Sequence, residues 1–301
     1  MDFRIIAVPI CEGSNKVGVE HGPKTLMKEG VLELFTKNGH YVDEVIEIKK
    51  NDIVPLRNIN KGIRNYKSVF TINLSLAREV DKCIKDGVVP FVIGGDHSLG
   101  IGSLAGVLNN YDDFAILWID AHADINTEST SFSGNAHGMP LAFSIGLGDK
   151  NIRTMIFKNK KINPNNIYII GARDIDVGEQ EIIEKKSVNI FSVKDAKLFS
   201  LQKVIKTIAN DIRSKGITKL YFSFDVDSMD PNLIPGTGTP VSNGFTLEDA
   251  HIIFSILRDD FEFIYFDFVE LNPLIEYTKT VKNCLFLLDV YTKGIKKTFA
   301  R

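Results

Sequence analysis

Eight short runs rich in β-branched and aromatic residues alternate along this chain with longer segments of helical period. The runs cover residues 3–9, 41–48, 88–93, 114–119, 166–170, 188–191, 219–224 and 261–268. Helical periodicity marks 66–85, 98–108, 201–215, 247–257 and 280–293 between them. Some runs are apolar throughout, as in Phe91-Val92-Ile93 and Ala115-Ile116-Leu117-Trp118-Ile119. A strand wetted on one face alternates polar and apolar residues, whereas one covered by helices on both faces does not. The rhythm therefore predicts an α/β protein, a three-layer α/β/α sandwich around a mainly parallel sheet. No internal repeat and no Pro/Gly/Ser linker interrupts it, so one domain over residues 1–301 is expected.

Charge and cysteine usage exclude several classes. The formal net charge is −2, which gives no basic surplus for nucleic acid. No apolar run reaches the roughly 18–20 residues of a membrane span, and residues 1–6 read as a strand rather than a signal peptide. Cys11, Cys83 and Cys284 are odd in number, widely spaced and without a CxxC, which fits buried thiols in a reducing, cytoplasmic setting. Residues 18–23, Gly-Val-Glu-His-Gly-Pro, read as a turn into a helix with Pro23 near its first position.

The chemistry falls just behind the strands, where open α/β sheets bind ligands. Gly94-Gly95-Asp96-His97-Ser98 follows one run, Asp120-Ala121-His122-Ala123-Asp124 the next, and Asp225-Val226-Asp227 a third. In extended backbone alternate residues share a side, so Asp120, His122 and Asp124 are expected to face one point, as are Asp225 and Asp227. Carboxylates crowded in this way repel one another and resist ionisation. Divalent cations remove that penalty, and six oxygen and nitrogen ligands suit two ions sharing a bridging carboxylate. A single Asp behind a strand is usually a turn or cap residue, and a lone His is usually structural. Three of the six histidines, His97, His122 and His137, nevertheless fall in polar strand-end or loop motifs. His21, His40 and His251 keep the structural reading.

Together and in this order, GGDHS, DAHAD and SFDVDSMDP resemble the ureohydrolase (arginase/agmatinase) superfamily, over nearly the whole chain. The resemblance implies an arginase-like α/β/α fold and two Mn2+ per subunit. It puts one ion on His97, Asp120, Asp124 and Asp225, and the other on His122, Asp120, Asp225 and Asp227. Segments 124–138, 171–179, 236–240 and 268–270 are similar to the arginase family in particular. They imply hydrolysis of L-arginine to L-ornithine and urea by a metal-bridging hydroxide. Asn126 and Ser133 would contact the substrate α-carboxylate. Asp176 would take the α-ammonium, with Glu179 assisting through water. Glu270 would pair with the guanidinium, Thr239 would line that end, Asp124 would relay a proton and His137 would shuttle one.

The resemblance also implies a homotrimer or hexamer, and the substrate is a small molecule, with no nucleic acid or membrane partner. Agmatinase and other guanidino or formimino hydrolases share the metal core. A non-catalytic metal-binding protein would be expected to lack a ligand or the shuttle. Formiminoglutamate, with two carboxylates, would want an Arg or Lys that loop 126–135 does not offer. Arg173-Asp174 reads as a structural ion pair, and Glu128 and Phe132 are unusual for the substrate loop.

Overall fold

The computed structural model of the chain describes residues 1–49 and 60–295. Its strands are β1 (Asp2–Val8), β2 (Tyr41–Glu47), β3 (Val89–Gly94), β4 (Ala115–Ile119), β5 (Ile167–Ala172), β6 (Asn189–Ser192), β7 (Lys219–Asp225) and β8 (Glu262–Val269). The helices are α1 (Gly22–Lys28), α2 (Val31–Lys37), α3 (Tyr66–Lys85), α4 (Gly100–Leu108), α5 (Pro140–Ser144), α6 (Val177–Lys186), α7 (Val193–Phe199), α8 (Leu201–Ser214), α9 (Leu247–Leu257) and α10 (Thr278–Thr292). Each expected strand and long helix is present, with ends displaced by no more than two residues. The helices α2, α5, α6 and α7 were not expected: α2, α5 and α7 carry too few turns for a periodic apolar stripe, and α6, apolar only at Val177, Ile182 and Ile183, has none.

The strands form one sheet in the order β2-β1-β3-β8-β7-β4-β5-β6, and all neighbours are parallel. Alternate residues of each central strand enter opposite cores. Phe91, Ile93, Leu117, Ile119, Phe222 and Phe224 pack with α1, α2 and α7–α10 on one face. Val92, Ile116, Trp118 and Tyr221 pack with α3–α6 on the other. Helices on both faces explain why these strands read as unbroken apolar runs. The sandwich is thus α/β/α, as expected.

The order matters for function. β3 and β4 are consecutive in sequence, yet β8 and β7 lie between them. The carboxyl ends of β3, β8, β7, β4 and β5 therefore form one continuous row, carrying His97, Glu270, Asp225, Asp120 and Arg173 at or just behind them. Among the described residues no helix is long and apolar enough to cross a membrane.

Candidate metal centre and substrate cleft

The imidazole of His97 lies at the meeting point of three carboxylates. Its Nδ1 is 3.1 Å from Asp120 Oδ2, 3.0 Å from Asp124 Oδ2 and 3.2 Å from Asp225 Oδ2. None of the three contacts has hydrogen-bond geometry, and this buried nitrogen is left without a hydrogen-bond partner. On the other side of the ring, Nε2 is 2.7 Å from Ser223 Oγ. Ser223 gives its only proton to Asp267 Oδ1, at 2.6 Å, so His97 Nε2–H must be the donor. The bare lone pair of Nδ1 is thereby aimed at the carboxylates, the tautomer a metal ligand needs. Trp118 stacks on the ring at 4.0 Å and donates its indole N–H to Asp120 Oδ2.

A second imidazole repeats the pattern. His122 Nδ1 lies 3.4 Å from Asp120 Oδ1 and 3.2 Å from Asp227 Oδ2. Asp120 thus turns one oxygen to each ring, the disposition of a bridging ligand. His97, Asp120 and Asp225 form one group able to hold a cation, and Asp120, His122 and Asp227 form the adjoining one.

The electrostatics point the same way. Burial, then the neighbouring Asp120 carboxylate, push Asp124 up to about 7. Burial and the charges of Asp227 and Asp120 raise Asp225 well above the carboxylate range. Burial disfavours charge on His97, but the three carboxylates outweigh it and raise its pKa. The cluster demands positive charge at its centre, which two divalent ions would supply. The donors present therefore fit the metal group that the sequence suggested.

The local backbone differs from the extended alternation expected of residues 120–124. β4 ends at Ile119, and residues 120–122 bend rather than continue the strand. Asp124 adopts a left-handed conformation, φ 49°. Asp227 likewise lies in a 3-10 turn behind β7. The convergence comes from turns, not from strand alternation. These turns are pinned by the same carboxylates: Asp120 Oδ1 accepts from His122 N, Asp225 Oδ1 from Asp227 N, and Asp227 Oδ1 from Ala121 N.

A cleft of about 170 Å³ opens over the centre. His122, Asp124, Asp225, Asp227, Asn126, His137, Asp176, Glu179 and Thr239 line it, together with Gly138 and Asp174. Asp176 caps α6 in a reciprocal box with Glu179, and its Oδ2 accepts from Asn126 Nδ2 at 2.8 Å. Burial pushes Glu179 up to about 8. Thr239 Oγ1 donates to Asp227 Oδ2.

Four of the expected residues do not line this cleft: the expected ligands His97 and Asp120, and also Ser133 and Glu270. Ser133 is exposed and outside the lining. Glu270, 2% exposed and in a left-handed backbone at φ 65°, lies beneath His137. Its Oε1 accepts from His97 N at 2.8 Å and meets His137 Nδ1 at 3.2 Å. Burial lowers His137, but Glu270 more than offsets it and the imidazole rises to about 9.

Several residues were misjudged or missed by sequence reasoning. Arg173 does not pair with Asp174. Its guanidinium donates to the carbonyls of Gly171, Asp227, Ser228, Met229, Val241 and Ser242. It is the strap that shapes the turn behind β7. Asp174 is released to the cleft, 3.9 Å from His122 Nε2. Asn135 is buried with an unpartnered Oδ1 beside the substrate loop, a feature no spacing signals. Phe132 is 88% exposed, whereas Glu128 buries an unpartnered Oε2 beside Gly148. Cys83 and Cys284 are buried as expected, and Cys11 is only partly so.

An all-parallel α/β/α sheet with two carboxylate–imidazole groups sharing one aspartate at its strand ends defines a ureohydrolase-type enzyme. The chain belongs to the arginase family, whose sequence profile matches residues 1–287. It is 34% identical to the arginase of Bacillus subtilis, covering 95% of each chain. The solved arginase of Bacillus caldovelox superposes with a TM-score of 0.90 at 33% identity over 98% of both chains. An Entamoeba histolytica arginase solved with L-ornithine gives 0.86 at 35% identity over 97% of both.

Proposed function

We propose that the protein hydrolyses L-arginine to L-ornithine and urea. The observation that carries this reading is Asp120, whose two oxygens face two imidazoles beside a cleft lined by Asn126, Asp176 and Glu179. The likeness to curated arginases, and to one solved with L-ornithine, supports it.

Two divalent ions fit the donor set, and oxygen-rich ligation favours manganese. His97, Asp120, Asp124 and Asp225 would hold one, and Asp120, His122, Asp225 and Asp227 the other. Bound there, such ions would act as Lewis acids and lower the pKa of water to near neutrality.

The side chains do the rest. Asp176 takes the α-ammonium, with Glu179 behind it. Asn126 Nδ2 gives one N–H to Asp176 and keeps a second for the α-carboxylate, which Ser133 also meets. Glu270 uses Oε1 for His97 and His137, leaving Oε2 for the guanidinium. Thr239 lines that end and steadies Asp227. Asp124, on the cleft wall, accepts the proton of the attacking water. His137, held by Glu270, delivers a proton to the departing amine.

Urea release from L-arginine and agmatine, measured side by side on protein of known metal content, tests this. L-arginine should be strongly preferred, with two ions per active chain. Faster turnover of agmatine, or full activity with one ion per chain, would overturn it.

A further inference from the structure

The segment before α3 lies against the substrate loop. Arg64 N donates to Gly134 O at 2.8 Å, and Arg64 Nε donates to Ser133 O at 2.7 Å. Gly134 has φ +69°, and a Cβ there would stand 2.9 Å from Gly62 O, so segment 62–64 lies directly on the loop. The next residue, Asn65, occupies the N-cap of α3 in a left-handed conformation, φ 47°. An N-cap Asn ordinarily bonds its own helix. Here no such bond forms, and Asn65 Nδ2 donates instead to Glu12 O at 2.9 Å. The next residue, Gly13, accepts from His137 N through its carbonyl. One dipeptide therefore ties the substrate loop to the segment of Glu12 and Gly13, which itself bonds His137.

Charge gives Arg64 a second property. The cleft wall carries Asp124, Asp174, Asp176, Glu179, Asp225 and Asp227, a field hostile to a substrate carboxylate. Arg173, beside it, has its guanidinium taken up by six carbonyls. Arg64 commits only Nε, and among the described residues its terminal amino groups make no hydrogen bond or ion pair. A permanent cation thus stands at Ser133, although loop 126–135 contains no basic residue.

We propose that Arg64 is the specificity-determining residue for the carboxylate end of the substrate. It fixes the backbone of Ser133 and Gly134 and sets a positive charge beside the α-carboxylate. This rests on the reading that the substrate is an amino acid whose carboxylate lies at Ser133. The guanidinium fork matters as well as the charge, because a lysine holds neither the planar geometry nor the Nε contact.

The test is calorimetric titration of L-ornithine, and of 1,4-diaminobutane, the same diamine without the carboxylate, into manganese-loaded protein. Wild type, Arg64→Gln and Arg64→Lys are compared after their melting temperatures have been matched. Loss of a charged contact should weaken L-ornithine about tenfold in Arg64→Gln and less in Arg64→Lys. Diaminobutane should change less than about twofold, and KM for L-arginine should rise while kcat holds. An equal loss for both ligands, or none for either, would overturn the proposal. If wild type binds L-ornithine no better than diaminobutane, the amino-acid reading itself fails, and this inference with it.

Discussion

Ser223 and Asp267 are register partners on β7 and β8, and the serine hydroxyl donates to the Asp267 carboxylate at 2.6 Å. With that proton spent, Ser223 can only accept from His97, and so it decides which nitrogen of His97 faces Asp120, Asp124 and Asp225. A residue on the central strand, outside the ligand cluster, sets the form of a proposed ligand.

Ser223→Ala should therefore weaken manganese binding about 10–100-fold. It should also lower stability by about 1–3 kcal/mol, because a buried carboxylate loses a donor. Titration in chelator-buffered manganese reads the first effect and urea denaturation the second. Unchanged metal affinity would show that the hydroxyl does not set the His97 tautomer.

His137 bonds Glu270 and lines the cleft but touches no carboxylate of the proposed ion pair. His137→Asn should leave metal content unchanged and lower kcat for L-arginine about a hundredfold. Steady-state kinetics from pH 7 to 9, alongside elemental analysis, checks this. Full activity throughout that range would remove the shuttle role.

His40 gives a pH dependence unrelated to the site. It is 8% exposed, its Nε2 lies 2.6 Å from Thr292 O, and burial lowers its pKa. A folded-state pKa below the unfolded value means the unfolded chain takes up the proton first as pH falls. The stabilising contribution is present above about pH 6.5 and is lost as pH drops from there toward the folded value. His40→Gln should flatten the fall in urea midpoint between about pH 7 and pH 5. Parallel curves for the two proteins would contradict this.

Gly95 precedes the Asp96-His97 pair where β1 and β3 crowd together. A Cβ there would stand 1.8 Å from Ile10 O, and the flanking amides of Gly95 and Asp96 already bond Val8 O and Ile10 O. Backbone cannot yield as a flexible side chain would. Gly95→Ala should cost at least about 1–3 kcal/mol and displace His97. Thermal unfolding with a manganese titration measures both, and an unaltered melting temperature would refute the steric argument.

Much of this architecture was legible in the chain. The apolar runs specified covered parallel strands because burial on both faces leaves no place for alternation. The three polar motifs specified a candidate metal centre because that many carboxylates cannot gather without a cation. The capping box by which Asp176 and Glu179 start α6 was missed in favour of their expected substrate roles.

Sequence could not say that β8 and β7 insert between β3 and β4, since the order of parallel strands is set by how crossovers pack. That order brings Ser223 to Asp267, Glu270 under His137, and Arg173 onto six carbonyls. It also fell to tertiary structure to bring Arg64 to Ser133, 69 residues away in sequence. Residue types and local spacing determined which groups are available for chemistry. Long-range packing decided which groups meet, because hydrogen bonds and charge contacts act over a few ångströms of space, whatever the distance along the chain.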